Sequence, residues 1–144
     1  MTEKFQIINA SAGSGKTFSL ASNVIMKLLS GDEDSYKKIL ALTFTNNSAN
    51  EMKNRILDEL SQISKDPSKS IIYQETKLKS LFKEQQISKK ATKVLNKILH
   101  NFSFFQISTI DKFNHRLIRS FSNDMSLSSD FDLIIESDEF SENL

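Results

Sequence analysis

Eight consecutive residues, Ala10-Ser11-Ala12-Gly13-Ser14-Gly15-Lys16-Thr17, hold two of the chain's three glycines and end in a Lys-Thr pair. Glycines two positions apart let the backbone turn tightly, so that several N–H groups face inward around phosphate oxygens. A lysine directly after such a turn can reach the β- and γ-phosphates of a nucleotide. A hydroxyl at the next position can sit on the accompanying Mg²⁺. The pattern assigns nucleotide binding to Ala10, Ser11, Ala12, Gly13, Ser14, Gly15, Lys16 and Thr17. Lys16 and Thr17 are the catalytic candidates, and Thr17 is the metal ligand. The pattern does not say what the nucleotide is used for.

Two further stretches share one design. In residues 41–56, ALTFTNNSANEMKNRI, an apolar run ends in Thr43, Thr45, Asn46 and Asn47 before a helical pattern begins. In residues 106–121, QISTIDKFNHRLIRSF, Ser108 and Thr109 end an apolar run, and a segment with Lys112, Arg116 and Arg119 follows. Hydroxyls and amides at a strand's carboxyl end can contact phosphate or sugar oxygens. They also serve as ordinary turn and helix-cap groups. Phe113 could stack on a base, but its i, i+4, i+8 spacing to Leu117 and Phe121 favours a shared core face.

These residues need elements to hold them. Phe5-Gln6-Ile7-Ile8 reads as a buried strand leading into the glycine loop. Residues 16–30 carry Phe18, Leu20, Ala21, Val24, Ile25, Leu28 and Leu29 at helical spacing, with Gly31 as a stop. Residues 39–44 are nearly continuous apolar, as in a strand covered on both faces. A helix over about 48–64 follows, broken by Asp66-Pro67-Ser68. Residues 70–86 and 88–101 read as two Lys-rich helices, 104–108 as a strand, 111–122 as a helix and 131–135 as a further strand. This order predicts an α/β fold with a mostly parallel sheet flanked by helices, interrupted by a helical insert at about 66–101.

Composition narrows the function classes. Cysteine is absent and only His100 and His115 are available, so disulfides, thiolate metal sites and multi-histidine sites are excluded. No apolar run approaches the roughly 18 residues of a membrane span, and the N-terminus shows no secretion signal. A cytoplasmic protein without membrane association is the default expectation. The formal net charge of +1 is uneven: residues 124–144 hold seven acidic residues and no Lys or Arg, leaving 1–123 with a net charge of +8. A basic body can attract nucleic acid, and solvated helix faces give the same count.

Taken together, the three stretches resemble the N-terminal part of the UvrD/Rep-type superfamily 1 DNA helicases. ASAGSGKT matches helicase motif I, TFTNNSANEMKNRI resembles motif Ia, and ISTIDKF resembles motif Ib. The spelling ASAGSGKT followed by Phe18, with Asp111 where many members carry His, is most similar to the RecB/AddA helicase–nuclease branch. The resemblance implies a RecA-like P-loop NTPase fold, incomplete in this chain, and a segment of a UvrD-like ATP-binding domain over residues 1–144. It implies ATP and Mg²⁺ as cofactors and single-stranded DNA as partner, contacted by Thr43, Thr45, Asn46, Ser108, Thr109 and Lys112. It further implies two protein partners, the rest of a helicase chain and a second helicase–nuclease subunit, in DNA repair and recombination. Two departures stand out: Asn47 replaces the usual motif Ia lysine, and no adenine-contacting glutamine motif is evident, Gln6 lying too close to the loop.

An ATPase of this type also needs acidic residues for Mg²⁺ and water, and an arginine from a second domain. FDLIIESDEF, residues 131–140, is the one strand-acid candidate; its acids are unevenly placed, and Glu136 reads as structural. The chain alone is therefore expected not to hydrolyse ATP at a useful rate. The alternatives are a small P-loop phosphotransferase using Glu136 and a non-catalytic ATP-binding module. Two expectations bear on the DNA stretches. Thr45→Ala with Thr109→Ala weakens DNA binding and spares stability, and Phe113→Ala costs the 3–5 kcal/mol typical of a buried Phe.

Overall fold

The computed structural model describes residues 15–121. The expected strands at 5–8 and 131–135, loop residues Ala10 to Ser14, Glu136 and the acidic C-terminus lie outside the described residues.

The first helix, α1 (Lys16–Ser30), turns Ala21, Val24, Ile25, Leu28 and Leu29 inward at the spacing its sequence predicts. It ends at Gly31, where a Cβ would run into Ser35 Oγ and the Lys27 carbonyl oxygen. Strand β1 (Leu40–Thr43) leads into α2 (Asn46–Lys65), which buries Ala49, Met52, Ile56, Leu60 and Ile63. Pro67 opens a single 3₁₀ turn where α2 stops, and the Asp66 carboxylate accepts the Ser68 N–H at 3.2 Å.

The insert departs from expectation. Instead of one helix over 70–86 there are two short ones, α3 (Ile71–Glu75) and α4 (Leu78–Leu81), followed by α5 (Glu84–His100). Thr76 and Phe82 adopt extended backbone at the breaks. The fold uses the interruption: Ile72, Tyr73 and Leu78 all reach the core, and the Tyr73 hydroxyl donates to the Phe82 carbonyl at 3.1 Å. Helix α5 starts at Glu84 rather than 88 because Gln86 Oε1 reaches back to the Lys83 N–H at 3.2 Å.

A 3₁₀ turn at Phe102–Phe104 precedes β2 (Gln106–Thr109), and α6 (Ile110–Ser120) follows without a loop. The strands pair in parallel with Leu40 opposite Gln106 and Thr43 opposite Thr109. Among the described residues the architecture is therefore α/β and mostly helical, with a two-stranded parallel sheet. Its core joins α1, α2, α5 and the short insert helices to Phe105 and Ile107 at β2.

Two expected faces are not covered. Leu40 and Leu42 of β1 are exposed, so among the described residues this strand has one covered face rather than two. No residue of α6 is fully buried: Phe113 is half-buried, while Leu117 and Phe121 are 45% and 50% exposed. Their shared face exists, but nothing described packs over it. Phe113→Ala is accordingly expected to cost less than the 3–5 kcal/mol of a fully buried Phe.

An ionic brace ties the turn after α1 to the insert. Lys97 Nζ lies 2.9 Å from Asp34 Oδ2 and 3.3 Å from Glu33 Oε2, and Lys93 Nζ lies 3.0 Å from Glu33 Oε1. Hydrogen bonds from Lys97 and then Lys37 hold the Asp34 carboxyl down to about 2, from an ordinary 3.8. A depressed carboxyl stabilises the fold above its unfolded pKa, and that contribution is lost as pH falls from about 4 through about 2. Asp34→Asn is expected to lose this part of the acid sensitivity. Urea midpoints at about pH 5 and about pH 2 should converge for the variant relative to wild type. Parallel curves for the two proteins would show that the brace contributes nothing.

Tyr36 is 1% exposed, and its hydroxyl has no hydrogen-bond partner among the described residues. A buried unsatisfied hydroxyl costs about 1–3 kcal/mol. Tyr36→Phe keeps the ring and removes that cost, so it is expected to raise the thermal midpoint of the chain. A fall in the midpoint would mean that the hydroxyl is paired after all.

Candidate functional site

Gly15, Lys16 and Thr17 are the members of the glycine loop that the structure describes. Gly15 has φ 79°, a left-handed conformation that strongly favours glycine, and no atom lies within 4 Å of where its Cβ would be. It caps α1 without any side-chain hydrogen bond, and no acidic residue stands in the first turn. The first backbone bond back into the cap runs from the Ser19 N–H to the Gly15 carbonyl at 2.9 Å. The N–H groups of the first turn thus point out of the helix beside an exposed Lys16, at the positive end of the helix dipole. An anion fits this arrangement. A phosphate would take the N–H groups and the Lys16 charge, and the Thr17 hydroxyl stands one residue on for a metal bound to that phosphate. Among the described residues no group of three or more His, Cys, Asp or Glu could hold a metal by itself.

The two hydroxyl-rich stretches come together at the sheet's carboxyl edge. The parallel register sets Thr43 directly opposite Thr109, and each strand runs almost at once into a helix. The edge thereby gathers two helix N-termini. Thr45 caps α2: its Oγ1 accepts the Ser48 N–H at 3.1 Å and donates to Ser48 Oγ at 2.8 Å. Thr109, almost fully buried, caps α6 by accepting the Lys112 N–H at 3.3 Å. Thr43 Oγ1 donates to the Thr45 carbonyl, and Ser108 Oγ to the Thr109 carbonyl. Asn46 and Lys112 are exposed in the first turns of their helices.

This geometry corrects the expectation that removing both Thr45 and Thr109 hydroxyls spares stability. Each is an N-cap, and a Thr→Ala change at an N-cap costs about 0.5–2 kcal/mol. The double variant therefore loses stability whatever it does to DNA.

Sequence reasoning missed Phe44. It stands between Thr43 and Thr45 at the strand's end and is 86% exposed. It belongs to the apolar run 39–44, yet its polar neighbours already mark it as lying past the covered part of the strand. Sequence reasoning also missed Lys53 and Phe102. Lys53 Nζ lies 5.7 Å from the centroid of the Phe102 ring, a contact between residues too far apart in the chain for any motif to reveal.

Known proteins match nearly the whole length of this chain. A model of the UvrD/REP helicase N-terminal domain family matches residues 1–143. The chain is similar to the RecBCD enzyme subunit RecB of Chlamydia muridarum, with 36% identity over 107 residues that cover 74% of this chain and 10% of that protein. It is also similar to RecB of Chlamydia pneumoniae, 47% identical over 55 residues, covering 38% of this chain and 5% of that protein. Similarity to an ATP-dependent helicase/nuclease of Lactococcus lactis subsp. cremoris runs to 28% identity over 133 residues, 92% of this chain and 9% of that protein. The chain spans a tenth or less of the length of these relatives. No solved structure matches it. Among the described residues no helix is long and apolar enough to cross a membrane.

Proposed function

The chain belongs to the UvrD/REP helicase N-terminal domain family, and from that premise we propose that it is the ATP- and single-stranded-DNA-binding N-terminal segment of an ATP-dependent DNA helicase of the RecB/AddA helicase–nuclease type. Residues 1–144 form part of a RecA-like P-loop domain in this reading, with the helices between α2 and β2 as an insert. The observation that carries it is the register of Thr43 opposite Thr109, which brings both motif stretches to one sheet edge. ATP supplies the phosphate whose hydrolysis drives the motor, and Mg²⁺ neutralises its charge. Within this chain the α1 N–H groups and Lys16 hold the phosphates, and Thr17 orients the metal. The chain alone does not turn ATP over at a useful rate, because the acidic pair and the second domain's arginine come from elsewhere in the longer protein. DNA repair and recombination are the setting, and a second helicase–nuclease subunit is a partner.

At the sheet edge, exposed hydroxyl and amide groups with the Lys112 ammonium suit phosphate and sugar contacts, which carry no sequence information. Phe44 adds a ring on which any base can stack. Single-stranded DNA is therefore bound with little sequence preference. Because Phe44 makes no core contact, Phe44→Ala is expected to leave thermal unfolding unchanged. It should weaken DNA binding by the roughly five- to 150-fold of one lost stack, about 1–3 kcal/mol. The measurement is titration of labelled single strands of two unrelated sequences, at two salt concentrations, with the full-length protein. Equal affinity for wild type and variant would take this edge out of the DNA path.

A further inference from the structure

A cleft of about 790 Å³ opens along β2, away from its pairing with β1. One wall is Lys53 of α2 with Phe102 and Phe105; the other is the first two turns of α6, with Lys112 and Arg116. Resting on the single-strand reading above, we propose that bound DNA continues from the sheet edge into this cleft. A base would lie against Phe102, and Lys53, Lys112 and Arg116 would hold the phosphates.

Three features support the path. The first is continuity: Ser108 and Lys112 belong both to the stretch at the sheet edge and to the wall of the cleft. The second is charge: three cations line the cleft against one carboxylate, Asp111. The third is a held platform. Phe102 is 44% exposed and rests against the buried Phe105 ring at 6.0 Å between centroids, tilted by 60°. Its exposed ring already attracts the Lys53 ammonium, so a base stacked there would meet ring and cation together. Arg116 is fixed across the opposite wall. One of its guanidinium nitrogens donates to Gln106 Oε1 at 2.6 Å and another to Ser108 Oγ at 3.3 Å. This hold orders the side chain before any ligand arrives.

The test uses the full-length protein with oligothymidylates of about four and about twelve nucleotides, the longer one carrying a single photoreactive 5-iododeoxyuridine. Variants Phe102→Ala, Lys53→Gln and Phe44→Ala are compared, with thermal unfolding measured for each. Phe102→Ala is expected to weaken the longer strand roughly five- to 150-fold and to leave the shorter one nearly unchanged. Lys53→Gln, which removes only charge, should lower the slope of log affinity against log salt by about 0.7 for the longer strand. Crosslinking should mark Phe102. If Phe44→Ala weakens both strands while the two cleft variants weaken neither, the cleft proposal is overturned and the sheet-edge reading stands. If Phe44→Ala weakens neither strand, the sheet-edge reading fails and takes the cleft with it. If the cleft variants lower thermal stability with DNA affinity intact, the cleft is a packing surface for polypeptide and the proposal is overturned.

Discussion

Replacing Lys16 with alanine is expected to remove most ATP turnover from the full-length protein while leaving its thermal unfolding where it was. The two halves of this expectation have separate grounds. Lys16 is exposed at the first position of α1, so no core contact is lost with it. Its charge stands beside first-turn N–H groups that no side chain caps, and alanine keeps those groups but removes the ammonium. A charge-assisted contact is worth about 1.5–3 kcal/mol, or roughly ten- to 150-fold in affinity or rate. Helix propensity changes little, because Ala and Lys are both good helix formers. Steady-state hydrolysis and nucleotide titration on the two proteins measure the loss. A variant with full turnover would remove the nucleotide site from this helix, and a variant that unfolds early would make Lys16 a structural residue.

Leu60→Ala is expected to have the largest effect on stability. Leu60 is fully buried on α2, between Ile56 and Ile63, in the core shared with α1 and α5. Truncating a buried Leu costs about 2–5 kcal/mol, the spread reflecting how far neighbours close around the lost volume. Against a domain stability of about 5–15 kcal/mol, that is a large fraction. Leu99 is the internal control: it follows the buried Ile98 on α5 but is exposed, so Leu99→Ala should stay within about 0.5 kcal/mol. Denaturant midpoints of the two variants check the placement of the core. Similar losses from both would contradict the packing of α2 on α5.

The helices that pack early in the chain are legible because their apolar stripes repeat at helical spacing: the pattern over 16–30 matches α1 end to end, and the pattern over 48–64 starts two residues short of α2. The break of 70–86 into α3 and α4 is not legible. It depends on the Tyr73 hydroxyl meeting the Phe82 carbonyl, a contact outside the i, i+4 reach that periodicity samples. Strand order predicts parallel pairing, and the register of Thr43 with Thr109 comes only with the structure. Thr45 and Thr109 show a different limit. The same hydroxyl suits a phosphate or a helix cap, and only the bonds to the Ser48 and Lys112 N–H groups tell which it is occupied with. The α6 stripe of Phe113, Leu117 and Phe121 is a real face, but a face does not reveal whether anything covers it.

The central claim, that this segment couples nucleotide at α1 to a single strand at the sheet edge, is tested most directly by ATP hydrolysis in the full-length protein with and without oligothymidylate. Wild type should hydrolyse slowly alone and several-fold faster with the oligonucleotide, while Lys16→Ala should stay near background in both conditions. Hydrolysis that is indifferent to DNA, or equal in wild type and Lys16→Ala, would contradict the account.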